Sequence, residues 1–83
     1  MSVTIRIPGP LRRVTNDQSQ VSVDATTVAG AIDSLDLEHA GIKDRICDET
    51  GELRYFVNVY LNGEDVRFLD GTKTLVKSGD ELS

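Results

Sequence analysis

The chain has 83 residues, a length that suits one small domain with a single hydrophobic core. Its 14 acidic and 9 basic residues give a net charge of −5, which argues against a nucleic-acid partner because phosphate binding needs clustered basic side chains. The one cysteine excludes an internal disulfide framework and any multi-cysteine metal site. No apolar run approaches the roughly 20 residues of a membrane span, and the opening segment lacks a signal-peptide core. These features predict a cytoplasmic domain with no membrane partner.

The first two predicted strands form an N-terminal hairpin. Over residues 2–7 every second residue is β-branched and apolar, which is typical of a strand with one buried face. This strand ends at Pro8-Gly9-Pro10, since a proline cannot donate a ladder hydrogen bond. Residues 20–23 show the same alternation and predict the second strand.

A helix is predicted directly after Thr26-Thr27, because either threonine can cap its first turn. The apolar residues Val28, Ile32 and Leu35 follow at positions i, i+4 and i+7, so they form one stripe that faces a core. Gly41 fits the end of this helix or the start of a short turn.

The C-terminal half predicts a second hairpin. Residues 54–61 give the strongest strand signal of the chain, and Asn62-Gly63 readily takes the positive φ angles of a tight turn. Residues 66–69 are predicted to be the returning strand, and a last extended segment begins at residues 81–83. Between them, Leu75-Val76 is predicted to fill a loop.

The element order is therefore β-β-α-β-β, with a further strand opening at the C-terminus. One main helix packed across a mixed sheet buries both apolar faces most economically, and this arrangement is the β-grasp, or ubiquitin-like, architecture of the α+β class. The prediction is a single domain over residues 1–83.

The residues that could carry chemistry form no catalytic, metal or cofactor site. Cys47 is one candidate nucleophile, but His39 lies eight positions earlier and no second cysteine is present, so we interpret the thiol as a half-buried residue that closes a helix. The acidic residues between Asp33 and Glu52 lack the spacing of a calcium loop. They form either a solvated face or a docking surface for a basic partner.

One stretch is more specific than composition. The sequence Arg54-Tyr55-Phe56-Val57-Asn58-Val59-Tyr60-Leu61-Asn62-Gly63-Glu64-Asp65-Val66-Arg67-Phe68 resembles the third strand, hairpin and fourth strand of the MoaD/ThiS family of ubiquitin-like sulfur carriers. It is similar in particular to the CysO-type branch, which serves cysteine biosynthesis. The closing Ser78-Gly79-Asp80-Glu81-Leu82-Ser83 resembles the Gly-Asp-Glu turn that leads those proteins into their last strand.

The resemblance implies a sulfur carrier rather than an enzyme. In that family a ubiquitin-activating-type adenylating enzyme uses ATP to activate a C-terminal Gly-Gly, which becomes a thiocarboxylate and gives its sulfur to a biosynthetic acceptor enzyme. We therefore expect a Gly-Gly tail beyond Ser83, and the carrier itself needs no bound cofactor. Cysteine biosynthesis is the favoured pathway, with molybdopterin, thiamine or other thiolation as alternatives. A non-carrier ubiquitin-like module that docks to and regulates a partner enzyme is the second hypothesis.

A protein interface is predicted on the open face of the sheet. On the third predicted strand Phe56, Asn58 and Tyr60 face away from the helix, and Arg67 or Phe68 of the return lies nearby. Large apolar side chains on an open sheet face favour a partner interface. Ordinary cross-strand packing that stiffens the sheet is the alternative.

Overall fold

A computed structural model describes residues 2–55 and 57–83. Within them the helices and strands are β1 (Val3–Arg6), β2 (Gln20–Val23), α1 (Val28–Glu38), α2 (Ile42–Ile46), β3 (Tyr60–Leu61), β4 (Glu64–Asp65) and β5 (Glu81–Leu82). Three short 3₁₀ helices connect them, at Gly9–Leu11, Val66–Phe68 and Gly71–Lys73.

The strands form one mixed sheet in the order β2-β1-β5-β3-β4. β1 and β5 run parallel, whereas the other neighbouring strands are antiparallel. α1 crosses between the two hairpins and packs its apolar stripe on the sheet. This arrangement confirms the predicted β-grasp architecture.

The N-terminal hairpin matches its prediction closely. Val3 pairs with Val23 and Ile5 pairs with Val21, so all four side chains share the buried face of the sheet. After β1 the chain turns into a 3₁₀ helix that begins beyond Pro8, which cannot continue the ladder. The alternation of the sequence is therefore an accurate record of which side chains are buried.

The helix cap and stripe are also confirmed. Thr27 is the capping residue, and its hydroxyl accepts a hydrogen bond from the Gly30 amide at 3.0 Å. Val28, Ile32 and Leu35 are all buried, and Leu35 has no exposed surface. The stripe thus supplies the centre of the core.

The third predicted strand is wrong in length. Only Tyr60–Leu61 forms β3, and residues 57–59 run beside the sheet without joining its ladder. On the β4 side the Val59 carbonyl accepts a hydrogen bond from the Val66 amide at 2.9 Å, and from Val66 onward the partner chain forms a 3₁₀ helix and leaves the ladder.

The fourth predicted strand is wrong in position. β4 is Glu64–Asp65, and the residues expected to return as a strand form the 3₁₀ helix Val66–Phe68 instead. The Asp65 carboxylate accepts a hydrogen bond from the Arg67 amide at 2.9 Å, which caps this tight turn and ends the strand. The hairpin turn itself is confirmed, since Asn62 and Gly63 have φ values of 50° and 90°.

The loop prediction holds for one residue of two. Val76 is buried, as expected, whereas 76% of the Leu75 surface is exposed. Thr74 is buried on the other side of Leu75, so the backbone alternates here and turns the leucine outward.

The core is a single cluster beneath α1. Its buried apolar members come from the N-terminal hairpin, both helices, β5 and the segments that connect these elements: Val3, Ile5, Ile7, Val21, Val23, Val28, Ala31, Ile32, Leu35, Ile42, Cys47, Val66, Val76 and Leu82. In the part of the chain that the structure describes, no helix is long and apolar enough to cross a membrane.

Candidate functional site

Among the described residues, the open face of the sheet carries mostly polar side chains together with the ring of Tyr60. On β3, Leu61 is half-buried on the helix side and Tyr60 points the other way with 39% of its surface exposed. On the neighbouring strands of the same face, the Arg6 guanidinium meets the Glu81 carboxylate, with Nε and Oε1 2.9 Å apart. Both of these side chains are partly exposed, so the face is open to a partner.

Arg67 ties the segment before β3 to the 3₁₀ helix after β4. Its Nη1 donates to Oδ1 of Asn58 at 2.8 Å, and its Nη2 donates to the backbone carbonyl of Arg54 at 2.6 Å. One planar guanidinium therefore fixes two points of the preceding segment at once. Because Arg67 is itself held through the Asp65 cap, the hairpin and the segment form one unit.

The predicted interface residues are distributed around this unit. Asn58 and Arg67 are in direct contact, and Phe68 follows Arg67 on the turn with 89% of its surface exposed. Tyr60 pairs with Asp65 across the hairpin. Phe56 lies outside the described residues. The structure thus places four of the five predicted residues on β3 or on the segments that flank the β3–β4 hairpin, and their contact with a partner stays a prediction.

The exposure of Tyr55 and of Leu75 was not predicted. Tyr55 has 91% of its surface exposed, and Leu75 has 76%. Tyr55 belongs to the hairpin motif, but its exposure was not recognised because residues 54–61 were assigned to a single strand. The signal for Leu75 was the alternation of Thr74 and Val76 around it.

A polar clamp holds the start of β5. The Asp80 carboxylate accepts hydrogen bonds from the Asn62 side-chain amide at 3.0 Å and from the Lys77 backbone amide at 2.9 Å. In return, Oδ1 of Asn62 accepts from the Glu81 amide at 2.9 Å. The hydrogen bond from Asn62, followed by that from Lys77, lowers the pKa of Asp80. This clamp fixes β5 against the hairpin turn.

Directly after this clamp, β5 runs through the middle of the sheet to Ser83. Ser83 and Tyr60 exchange both backbone hydrogen bonds, at 2.9 and 3.0 Å. On the other side β5 pairs with β1 through Thr4 and Ile5. Ser83 is therefore held within the sheet, directly opposite Tyr60 of the candidate interface.

Cys47 and His39 both lie at helix ends. Cys47 closes α2 and is 3% exposed, and burial raises the pKa of its thiol, which disfavours the nucleophilic thiolate. His39 follows the last turn of α1, where its backbone amide donates to the Leu35 carbonyl. Among the described residues no three metal-binding side chains lie close enough together to hold an ion.

Several acidic side chains of the stretch from Asp33 to Glu52 hold local structure. Asp36 accepts hydrogen bonds from two amides at the start of α2. Asp48 accepts from the backbone and the hydroxyl of Thr50, which lowers the pKa of its carboxyl. These two carboxylates are therefore structural, whichever of the two predicted roles the rest of the stretch has.

A mixed sheet of this order, a single crossing helix and a central strand β5 leading to an open face define a β-grasp protein of the ubiquitin-like class. The model of the ThiS family matches residues 5–83. The chain therefore belongs to the ThiS family, which confirms the resemblance seen in the hairpin and the closing turn.

Its relatives share the whole domain. The sulfur carrier protein CysO of Mycobacterium tuberculosis is 40% identical over 85 residues, which cover 100% of this chain and 91% of CysO. The crystal structure of that CysO superposes with a TM-score of 0.92 at 40% identity, over 96% of this chain and 92% of CysO. The BexX/CysO complex of Amycolatopsis orientalis contains a chain that matches with a TM-score of 0.93 at 45% identity, over 96% of this chain and 89% of that one.

Proposed function

We propose that the protein is a cytoplasmic sulfur carrier of cysteine biosynthesis, acted on by enzymes and not itself an enzyme. The observation that carries this proposal is the likeness to CysO over essentially the whole chain, in sequence and in structure. Those relatives are named sulfur carrier proteins.

The proposed chemistry takes place at a C-terminal glycine that follows Ser83. A partner enzyme joins the glycine carboxylate to the AMP portion of ATP and releases pyrophosphate, because a free carboxylate is inert toward nucleophiles. A sulfur donor then displaces AMP and leaves a thiocarboxylate, whose sulfur passes to an acceptor enzyme. Two glycines suit this task, since a backbone without side chains can enter a narrow channel and take unusual dihedral angles.

The folded body would position this tail and dock to the activating enzyme. The clamp at Asp80 and the pairing of Ser83 with Tyr60 support a fixed exit point. Tyr60 and Phe68 supply exposed aromatic surface next to it, and aromatic residues are enriched in protein interfaces. The relative in the BexX/CysO complex is seen with a protein partner, which supports a docking role for this fold.

The carrier reaction can be tested with a chain extended beyond Ser83 to end in Gly-Gly. Incubation with an adenylating enzyme, ATP and a sulfide source should replace one terminal oxygen by sulfur, detected by intact-protein mass spectrometry. A matched chain that ends in Ala-Ala should stay unmodified. Tight binding to the enzyme without sulfur incorporation would instead support the regulatory docking module.

The pathway is tested with the thiocarboxylated protein. Its sulfur should displace the leaving group of an activated serine derivative held by an acceptor enzyme, and hydrolysis of the resulting acyl–sulfur bond by water should then return the free carboxylate. Acceptors of molybdopterin or thiazole synthesis should leave the thiocarboxylate intact. Turnover by either of these and not by the serine acceptor would contradict the assignment to cysteine biosynthesis.

The docking surface is tested by the double substitution Tyr60→Ser and Phe68→Ser. Loss of two exposed aromatic anchors should weaken binding to the activating enzyme by about tenfold or more, measured by calorimetry. Leu37→Ser is the matched control, because Leu37 is 88% exposed on α1. Equal affinity of the double variant and the control would refute this interface.

A further inference from the structure

The turn between β3 and β4 places an asparagine side chain next to an unhindered backbone amide. Of the three asparagines of the chain only Asn62 precedes a glycine, and both Asn62 and Gly63 are exposed. Apart from its chain neighbours, no atom lies within 4 Å of the place where a Cβ would stand on Gly63. Because glycine has no side chain to shield its nitrogen, that nitrogen can attack the carboxamide carbon of the preceding asparagine and close a succinimide ring.

In the folded chain both ends of the Asn62 carboxamide are held by the clamp. Its Nδ2 donates to Oδ1 of Asp80 at 3.0 Å, and its Oδ1 accepts from the Glu81 amide at 2.9 Å. These two bonds direct the carboxamide toward β5. The carbon must therefore leave both hydrogen bonds before it can turn onto the Gly63 nitrogen, so ring closure requires an open clamp.

We propose that Asn62 is a site of covalent modification by deamidation, and that the clamp controls the rate. When the clamp opens, the Gly63 nitrogen gives up its proton and bonds to the Asn62 Cγ. The Cγ–Nδ2 bond then breaks, and ammonia leaves with that proton. Water adds to either carbonyl of the succinimide and breaks one of its carbon–nitrogen bonds, which leaves aspartate or isoaspartate at position 62. The sum is an amide and water converted to a carboxylate and ammonium, without an oxidant or a reductant.

The product is incompatible with the clamp. A carboxylate oxygen takes the place of the nitrogen that donated to Asp80 at 3.0 Å, so two negative charges face each other where a hydrogen bond had been. Isoaspartate also adds one methylene to the backbone of the turn, which disturbs the pairing of Leu61 with Glu64. Modification therefore releases the start of β5 from the hairpin turn.

This release affects the part of the domain that carries the candidate interface. Tyr60 lies on β3, two residues before Asn62, and it exchanges backbone hydrogen bonds with Ser83 at the end of β5. The reaction converts a clamped hairpin into a loosened one and is not reversed by the fold. The site thus acts as a one-way switch, and it goes beyond the proposed carrier function because it requires no sulfur transfer.

The rate is tested with purified protein kept in mildly alkaline buffer. Peptide mass spectrometry locates the mass gain of an acid over its amide, and an isoaspartyl methyltransferase assay detects isoaspartate. Asp80→Ala should accelerate modification of Asn62 by about 5- to 30-fold, because the lost hydrogen bonds raise the population with a free carboxamide. Thr27→Ala is the matched control, since it weakens the cap of α1 away from the clamp and should leave the rate near that of wild type.

Two results of this experiment would overturn the proposal. One is an equal rate in wild type and Asp80→Ala. The other is an equal acceleration by Asp80→Ala and Thr27→Ala, because the reaction would then follow global unfolding rather than the clamp.

The effect of the product is tested separately, with variants that do not depend on the reaction. Asn62→Asp should lower the melting temperature by about 5 °C or more at neutral pH. Combining it with Asp80→Asn exchanges donor and acceptor, so the pair can again form its hydrogen bond and most of the loss should be recovered. A double variant no more stable than Asn62→Asp would contradict the charge conflict. Both tests are made without a partner enzyme, so the switch can fail while the carrier function stands, and the reverse.

Discussion

The two hairpins of this domain are held together by different means. β1 and β2 have four residues each, pair along their whole length and bury alternate side chains under α1. β3, β4 and β5 have two residues each. Their positions are fixed in addition by hydrogen bonds made by the side chains of Asn62, Asp65 and Arg67. The N-terminal hairpin is therefore stabilised by a longer ladder and by apolar burial, whereas the C-terminal half, which carries the candidate site, adds side-chain hydrogen bonds to the apolar burial of Val66, Val76 and Leu82.

The largest loss of stability is expected from a substitution in the core of the N-terminal half. Leu35→Ala should lower the free energy of unfolding by about 2–5 kcal/mol, because Leu35 is fully buried beneath α1 and its loss leaves a cavity. Urea denaturation monitored by circular dichroism measures the change. Leu37→Ala on the same helix is the control and should change stability by less than about 0.5 kcal/mol. Similar losses for both variants would show that the helix stripe does not carry the core.

The corresponding weak point of the second half is Asn62. Asn62→Ala should cost about 2 kcal/mol, because it removes both side-chain hydrogen bonds of the clamp and places a Cβ-bearing residue with poor left-handed propensity at φ 50°. Asn62→Gly removes the same hydrogen bonds without the backbone strain, so thermal melts should place it between wild type and Asn62→Ala. A glycine variant as stable as wild type would refute the clamp.

A smaller effect is expected at the helix start. Thr27→Ala should cost about 1 kcal/mol, because the Gly30 amide loses its capping hydroxyl. Thr26→Ala is the matched control, since Thr26 contributes its backbone carbonyl to the Val76 amide and a side-chain change leaves that bond in place. Chemical denaturation of the pair should therefore separate them, and equal losses would contradict the assignment of Thr27 as the cap.

The smallest expected effect is the pH dependence of the clamp. The pKa of Asp80 is lowered in the folded state, so its stabilising contribution is present above the unfolded pKa and is lost as pH falls below about 4. Asp80→Asn resembles the protonated form and should be less stable than wild type at pH 7. Melting temperatures recorded down to pH 2 should converge, and a constant difference would argue that Asp80 acts through packing instead.

The same difference between the hairpins explains which elements could be predicted from the sequence. The first hairpin, the Thr27 cap and the helix stripe were predictable because each buries a regular face, and regular burial leaves a period in the sequence. The strand at residues 54–61 was predicted too long. Alternating apolar residues indicate a buried face, but they do not show whether a neighbouring strand is present to form the ladder. The turn at Val66–Phe68 was missed because it depends on one hydrogen bond from Arg67 to the Asp65 side chain.

The residues of the candidate site could be predicted from the sequence, but the hydrogen bonds that join them could not. The motif placed Tyr60, Arg67 and Phe68 near one another, and all four described members, which include Asn58, are exposed. The contacts of Arg67 with Asn58 and the Arg54 carbonyl could not be read from spacing, since they join residues up to 13 positions apart through a long flexible side chain. The exposure of Leu75 was available from the alternation around it.

The parallel pairing of β1 with β5 has a mechanical consequence. A pull applied at Ser83 is directed along β5, which is paired with β1 on one side and with β3 on the other. The hydrogen bonds between parallel strands lie across that direction, so they are loaded together in shear rather than opened one after another. A domain pulled at its C-terminal end should therefore move as a rigid body. Its resistance to force should be greater along this axis than for a pull that separates the edge strand β4 from β3.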